Sequence, residues 1–148
     1  MLFRFPTVAP CSMGLITDVP DSVIEFPIDT MRAVVSMLYS GTLTRCRNMK
    51  FIFSHTGAGV PLLAARISGL VRRDKRLAAM IPDGPLAELK RLYYDTALSA
   101  RPETLAPLLQ LVTPANIVFG TDYPWGSMTI ADTIAGLDRK STRLNSSH

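Results

Sequence analysis

Apolar residues along the chain form short, mostly continuous runs that alternate with segments of helical periodicity. The runs of strand length stand at 2–5, 51–54, 92–96 and 116–120. Because their apolar residues are consecutive and do not alternate with polar ones, these runs are typical of strands that are buried on both faces of a parallel sheet. The pattern therefore predicts four parallel βα units.

Segments with apolar residues at helical spacing separate the predicted strands. Residues 7–27 are rich in Pro, Gly, Ser and Asp, so we predict a long loop there, after which Asp29 caps the first helix and Gly41 ends it. Pro61 and Pro102 suit the first turns of two further helices. Shorter helical segments are predicted at 86–89 and 127–137.

Four units of this kind belong to the α/β class and form either a small doubly wound sheet or half of an eight-stranded barrel. In both architectures, ligands bind at the carboxyl ends of the strands. Three polar residues, His55, Asp95 and Asp122, stand at or just after the ends of predicted strands. The sequence therefore predicts a functional site at this edge of the sheet.

His55 is the strongest single candidate for chemistry. It closes an apolar strand, and Gly57 and Gly59 behind it allow a ligand to approach the backbone. A histidine in this place can transfer a proton near neutral pH or bind a metal. The alternative is a capping histidine that bonds a neighbouring carbonyl, and the spacing leaves both open. The only other histidine is His148, so this chain alone does not supply a site built from several histidines.

Asp122 follows another predicted strand, in the segment Phe-Gly-Thr-Asp-Tyr-Pro-Trp. A carboxylate there can bind a divalent cation or orient a water molecule. The alternative is an aspartate that forms a turn beside Pro124. The same two interpretations apply to Asp95.

Arg66 and three aromatic residues are candidates for contacts with a ligand. The guanidinium of Arg66 can clamp a carboxylate through two hydrogen bonds, or it can belong to an ordinary exposed helix residue. Trp125, Tyr123 and Tyr94 can line an apolar pocket, although simple packing explains them equally well.

Composition narrows the class of protein further. Of the 148 residues, 47% are hydrophobic and 19% are charged, which predicts a folded domain and excludes a disordered chain. No apolar run has the length of a membrane span and no signal peptide is visible, so we expect a cytoplasmic protein without a membrane partner. Cys11 and Cys46 have no metal or redox spacing and are interpreted as free thiols.

The net charge of +4 is concentrated at the C-terminal end. Three of the sixteen basic residues stand in the last ten positions, which hold no acidic residue, so the remainder of the chain is close to neutral. A nearly neutral chain without a basic stripe argues against a nucleic-acid partner. Residues 139–148 lack apolar periodicity, resemble translated sequencing-adapter read-through, and are predicted to be an unstructured tail outside a domain at 1–138.

Two segments carry a family resemblance. Phe-Ile-Phe-Ser-His-Thr-Gly-Ala-Gly-Val-Pro at 51–61 and Ile-Val-Phe-Gly-Thr-Asp-Tyr-Pro-Trp at 117–125 resemble the decarboxylase branch of the amidohydrolase superfamily. This branch includes aminocarboxymuconate-semialdehyde, resorcylate and methylsalicylate decarboxylases, and the segment at 24–30 is most similar to the last group. The resemblance runs from about residue 2 to residue 137. It implies strands five to eight of a TIM-type (β/α)8 barrel of the metal-dependent hydrolases, which is the C-terminal half of that fold.

The resemblance also implies an activity, namely non-oxidative decarboxylation of a small aromatic or unsaturated carboxylic acid by a homodimer. His55 matches the residue that transfers the proton, and Asp122 matches a metal ligand and possible base. Arg66 has the spacing of an arginine that contacts the substrate carboxylate across the dimer interface in some members. Trp125 is expected to contact the substrate.

A divalent metal, zinc or manganese, is the cofactor that the resemblance implies. The paired metal-binding histidines of the family's first strand would precede Met1, and Phe5 stands where the family has a further metal-binding histidine. We therefore expect an incomplete metal site in this chain and interpret the chain as a fragment of a longer enzyme. The alternatives are a metal-dependent hydrolase of a lactone or amide, and a catalytically inactive half-barrel that dimerises.

Overall fold

Helices and short strands alternate along the part of the chain that the computed structural model describes, residues 18–126 and 128–144, with side chains as far as 138. The strands are β1 (Ile52–Phe53), β2 (Tyr93–Asp95) and β3 (Ile117–Val118). The helices are α1 (Asp21–Tyr39), α2 (Thr42–Arg45), α3 (Val60–Ser68), α4 (Lys75–Met80), α5 (Pro85–Arg91), α6 (Pro102–Leu111) and α7 (Ile130–Leu144). Single 3-10 turns lie at His55–Gly57, Gly69–Arg72 and Pro114–Asn116.

The three strands form one parallel sheet in the order β1-β2-β3. Ile52 pairs with Tyr93 across the first ladder, and Tyr94 pairs with Ile117 across the second. Helices α3 to α5 connect β1 to β2, and α6 connects β2 to β3. Three of the four predicted strands are therefore confirmed as parallel, although each is shorter than predicted. The predicted strand at 2–5 lies outside the described residues.

The core lies on one face of the sheet, where the helices pack. Tyr94 of the central strand is completely buried and packs in one cluster with Leu38 of α1, Val60 of α3 and Leu108 of α6. Its hydroxyl donates to the carbonyl of Leu89 at 2.9 Å, and burial raises the pKa of the Tyr94 phenol. The neutral phenol is therefore available as a hydrogen-bond donor inside the core.

Helix α1 begins earlier than the sequence predicts. It begins at Asp21, so the loop predicted for residues 7–27 is wrong for 21–27, and Asp29 lies inside the helix and does not cap it. Apolar residues at helical spacing continue upstream, at Ile24, Ile28, Met31 and Val35, although Ile24 is 45% exposed. The one hydrogen bond that Pro27 cannot make does not interrupt the helix. The end of the helix is as predicted, because Gly41 follows it with a φ of +72°.

The sequence pattern does not predict α4 as a helix separate from α3. Helix α4 begins after Asp74, whose carboxylate accepts hydrogen bonds from the backbone N–H groups of Arg76 at 2.9 Å and Leu77 at 3.4 Å. The hydrogen bond from the Arg76 side chain, with help from these backbone groups, holds the pKa of Asp74 below its usual value. Asp74 is thus an ordinary N-cap that satisfies two backbone donors.

The last helix extends beyond the predicted domain boundary. Thr129 and Asp132 form a reciprocal cap: Asp132 accepts from the Thr129 hydroxyl at 2.7 Å, and the Asp132 N–H donates to that hydroxyl at 3.1 Å. The hydrogen bond from the Thr129 side chain lowers the pKa of Asp132. The backbone continues as helix through 139–144, where the sequence predicts an unstructured tail, because neither Gly nor Pro interrupts these positions. Residues 145–148 lie outside the described residues.

A buried ion pair network lies at the amino end of β2. Glu88 of α5 is 1% exposed and accepts from Arg47 at 2.8 Å and from Arg91 at 2.6 Å. Arg91 also donates to the carbonyl of Leu43 at 2.9 Å, which joins α5 to α2. The two arginines compensate the buried Glu88 carboxylate, and the network lies at the end of the sheet opposite the predicted site. Among the described residues, no helix is long and apolar enough to cross a membrane.

Candidate active site

The carboxyl ends of the three strands bring the predicted polar residues to one edge of the sheet. His55 stands two residues after the end of β1, Asp95 is the last residue of β2, and Asp122 stands four residues after the end of β3. Because the strands are parallel and adjacent, their carboxyl ends meet at the same edge. The structure thus places the three residues where the sequence predicts a site.

The backbone that carries His55 has an unusual conformation. His55, Thr56 and Ala58 have φ values of 55°, 56° and 54°, and Gly57 between them has a φ of 72°. Non-glycine residues in this left-handed region each cost about 1–2 kcal/mol. Such strain persists only where the surrounding structure holds it, and it is common at functional sites.

The His55 ring is anchored through one of its two nitrogens. Nδ1 lies 2.9 Å from the carbonyl oxygen of Ala97, in the segment that follows β2. A carbonyl oxygen only accepts hydrogen bonds, so Nδ1 carries the proton that it donates. No described residue bonds Nε2, which in the neutral ring is the nitrogen with the free lone pair. His55 therefore bonds a carbonyl, as the alternative interpretation expects, and still presents one nitrogen to a ligand.

Thr96 joins the end of β2 to the segment that follows β3. Its hydroxyl donates to the carbonyl of Gly120 at 3.1 Å and accepts from the Gly120 N–H at the same distance. The backbone N–H of Thr96 also donates to the carbonyl of Val118 at 3.1 Å. Thr96 is 1% exposed, so these bonds are shielded from water and fix the start of the loop that carries Asp122.

Asp122 presents an available carboxylate. The turn around it is made by its backbone carbonyl, which accepts from the N–H groups of Trp125 and Gly126 at 2.8 Å each. The half-buried carboxylate accepts no hydrogen bond from the described residues, and Asp122 has a φ of 63°, a conformation that aspartate tolerates in turns. The carboxylate is therefore available to a ligand, while the backbone of Asp122 forms a turn.

The remaining candidates lie further from the strand ends. Arg66 lies in the last turn of α3 and is exposed. Trp125 and Tyr123 are 88% and 83% exposed, so packing does not explain them within the described residues. Tyr94 is buried in the core, and the prediction that it can line a ligand pocket is wrong because no part of its side chain reaches the surface.

Sequence reasoning missed two groups at this site. Thr96 acts through a hydroxyl that bridges two backbone groups, and Ala97 acts through its main-chain carbonyl. Neither has a side-chain pattern that could have identified it. For Asp95 the sequence leaves open a cation ligand or a turn. In the structure its Oδ1 accepts from the backbone N–H groups of His55 at 2.8 Å and Ala97 at 3.0 Å, and the second bond, two residues on, is that of a turn-forming aspartate.

The donors described here do not make a complete metal site. Within residues 18–126 and 128–144, no group of three or more His, Cys, Asp or Glu side chains is arranged to hold a metal ion. A stable zinc site needs three or more protein ligands. The described part of the chain therefore does not by itself fit a resident metal.

Parallel βα units with an anchored histidine and an available carboxylate at the carboxyl edge define an α/β protein whose candidate site lies at the carboxyl ends of its strands. The sequence profile of the amidohydrolase family matches residues 13–143. The chain belongs to the amidohydrolase family. The family resemblance that the sequence motifs indicate is thereby confirmed.

Characterised relatives of the chain are decarboxylases. It is 29% identical over 124 residues to the 6-methylsalicylic acid decarboxylase of Penicillium expansum, covering 84% of this chain and 38% of that protein. It is 32% identical over 127 residues to the 6-methylsalicylic acid decarboxylase of Aspergillus aculeatus, again covering 84% of this chain and 38% of the relative. The chain thus spans less than two fifths of the length of these curated relatives.

A solved structure shows the same fold. The 5-carboxyvanillate decarboxylase of Novosphingobium aromaticivorans, crystallised with manganese and 4-hydroxy-3-methoxy-5-nitrobenzoic acid, superposes with a TM-score of 0.69 at 18% identity. The match covers 90% of this chain and 40% of that structure. The chain has the fold of part of a (β/α)8 barrel, which confirms the predicted barrel and excludes the doubly wound sheet.

Proposed function

We propose that the protein is a metal-dependent carboxy-lyase that removes carbon dioxide from a small aromatic or unsaturated carboxylic acid. The observation that carries the proposal is the anchored His55 ring, which presents Nε2 at the carboxyl edge of a barrel sheet. The two relatives named above are both 6-methylsalicylic acid decarboxylases, and the superposed structure holds manganese and a nitrobenzoic acid. These names support the reaction class and a divalent metal.

The proposed chemistry replaces a carboxyl group by a proton. The bond between the ring carbon and the carboxyl carbon breaks, carbon dioxide leaves, and the electron pair stays on the ring carbon, which takes a proton. In the imidazolium form of His55, Nε2 carries that proton while Nδ1 donates to Ala97. After the transfer, the neutral ring keeps the same Nδ1 hydrogen bond, so the ring is held in one orientation throughout.

Arg66 and Trp125 are proposed to bind the substrate. A guanidinium matches the geometry of a carboxylate, and an indole stacks on an aromatic ring. Arg66 is exposed on α3. The homodimer that the family resemblance implies, in which Arg66 of one copy contacts the substrate in the other, is part of the proposal. The cytoplasm is the proposed compartment, and the free thiol of Cys46 fits a reducing environment.

Asp122 is proposed to give one carboxylate ligand to the metal, zinc or manganese. A divalent cation at this edge supplies positive charge for the oxygens of the substrate. The further ligands must come from outside the described residues, because those residues hold no group of three suitable side chains.

The metal affinity of the 148-residue chain tests this proposal. We expect isothermal titration calorimetry with zinc or manganese to give a Kd of about 1 μM or weaker, since one carboxylate is too few ligands for a tight site. The Asp122→Asn variant should bind more weakly still, while Asp83→Asn, which changes an exposed carboxylate in the Arg47 network, should bind like the parent chain. Stoichiometric binding in the nanomolar range would contradict the assignment.

An assay of the product of the complete source gene tests the reaction. With manganese or zinc present, we expect carbon dioxide to be released from acids such as 6-methylsalicylate, 2,6-dihydroxybenzoate or 5-carboxyvanillate. Lactones and amides are tested in parallel, because fold alone does not separate decarboxylation from hydrolysis. Uptake of water by these compounds without release of carbon dioxide would replace the proposal with a hydrolase. Activity on neither class would favour an inactive half-barrel.

A further inference from the structure

We infer that Asp95 is the positioning residue that sets the orientation and the tautomer of the His55 ring. The inference rests on the proposed function for its catalytic meaning, but its geometry is independent of that function. Asp95 does not contact the imidazole. It holds the backbone of His55 and the backbone of Ala97, which is the ring's partner, through one carboxylate oxygen.

Two backbone N–H groups donate to Oδ1 of Asp95. The His55 N–H donates at 2.8 Å and the Ala97 N–H donates at 3.0 Å, so a single oxygen joins the segment after β1 to the segment after β2. Hydrogen bonds to an ionised carboxylate are about twice as strong as those between neutral groups. The two segments that determine the ring's position are thus tied to one atom.

The backbone is strained both after β1 and after β2. His55 and Thr56 have left-handed φ values of 55° and 56°, and Leu98, directly after Ala97, has a φ of 50°. The His55 N–H in this conformation donates to the Asp95 carboxylate. The Asp95 carboxylate therefore stabilises a backbone geometry that the local sequence alone disfavours.

The His55 ring makes its own hydrogen bond to the segment after β2. Nδ1 of His55 donates to the carbonyl of Ala97 at 2.9 Å, and the same residue's N–H is held by Asp95. Ala97 is 4% exposed, so water has little access to replace either bond. If the Asp95 carboxylate is removed, both ends of the Nδ1 hydrogen bond lose their support, and the ring is no longer restricted to the Nδ1–H tautomer.

Gly120 packs closely against the Asp95 side chain. A Cβ added at Gly120 would lie 3.1 Å from both Cβ and Cγ of Asp95. The Asp95 side chain therefore packs closely against the backbone at Gly120, after β3, and an added Cβ there would force it to shift. This contact also provides a way to displace the carboxylate without changing its charge.

The test measures the tautomer of His55 by long-range proton–nitrogen NMR on the 148-residue chain with labelled histidine. Only His55 and His148 contribute signals, and His148→Gln assigns them. We expect the parent chain to show the Nδ1–H tautomer for His55. Asp95→Asn should keep it, because the amide oxygen still accepts both N–H groups, whereas Asp95→Ala should shift the population to the Nε2–H tautomer that free histidine favours.

Asp74→Ala is the matched control, because Asp74 also accepts from two backbone N–H groups, at the start of α4. It should lower thermal stability and leave the His55 tautomer unchanged. Asp95→Ala with an unchanged Nδ1–H tautomer would overturn the inference, and so would Asp95→Asn behaving like Asp95→Ala. If Asp95→Ala does not fold, Gly120→Ala serves instead: it should lower the Nδ1–H population, and an unchanged population would overturn the inference.

Turnover measurements separate this inference from the proposed function. In the complete protein, Asp95→Ala should lower kcat by about 10²-fold with little change in KM, because a misplaced proton donor affects the chemical step. Asp95→Asn should restore most of that loss. If the parent protein releases no carbon dioxide while the tautomer changes as expected, only the proposed function fails.

Discussion

Replacing His55 by alanine is expected to lower the kcat of the complete protein by about 10²- to 10⁴-fold, which is the usual contribution of a positioned proton donor. The alanine variant has no group that can deliver a proton from the place of Nε2. Its metal content should be unchanged, because the proposal assigns metal binding to Asp122 and proton transfer to His55. Release of carbon dioxide measures the first effect and elemental analysis of the purified protein measures the second.

Asp83→Asn is the matched control for this variant, since it changes an exposed side chain in the Arg47 network, at the opposite end of the sheet. It should retain the turnover of the parent. Unchanged turnover of His55→Ala would remove the catalytic role of His55. Loss of the metal together with loss of activity would assign His55 to metal binding, contrary to the proton-transfer role.

The second large effect is expected at Gly57, where alanine should lower the free energy of unfolding by about 2–4 kcal/mol. Two costs combine at this position. The φ of Gly57 is +72°, a conformation in which a Cβ is strained, and an added Cβ would lie 2.6 Å from Cδ1 and Cε1 of Tyr94. Tyr94 is completely buried in the central strand and cannot move aside without repacking the core, which typically costs about 1–3 kcal/mol. Urea denaturation followed by circular dichroism measures the change.

Two other glycines separate these costs. Gly84 has a φ of +83° with no atom within 4 Å of an added Cβ, so Gly84→Ala should show the backbone strain alone. Gly69 has neither a left-handed φ nor a close neighbour, and Gly69→Ala should leave stability almost unchanged or raise it slightly. If Gly57→Ala costs no more than Gly84→Ala, the close contact with Tyr94 does not limit the fold.

The errors of sequence-based prediction in this chain have a common physical origin. Pro27 and the polar residues around it suggest a loop, yet the helix begins at Asp21, because the loss of one hydrogen bond at Pro27 does not interrupt a helix that continues on both sides of it. The helical backbone likewise continues through 139–144, where composition suggests an irregular tail. In both cases, local propensity is a weaker determinant than the packing or continuation of an established helix.

Part of the candidate site could be predicted and part could not. His55 and Asp122 are identified by their position after apolar strands, a local pattern, and the structure places both at the same edge of the sheet. Thr96 and Ala97 contribute a bridging hydroxyl and a main-chain carbonyl, and no residue type signals such roles. The assignment of His55 and Asp122 to proton transfer and metal binding stays a prediction until the variants are measured.

The sequence by itself determined the α/β class, the order of the strands from β1 onward and the family, because apolar periodicity and strand-end motifs are local and survive without tertiary contacts. Only the tertiary structure decided which groups support the site. Forty residues separate His55 from Asp95, and their hydrogen bond exists only because the parallel pairing of β1 with β2 brings the two strand ends together. Such contacts depend on the register and packing of distant segments, which residue spacing along the chain does not encode.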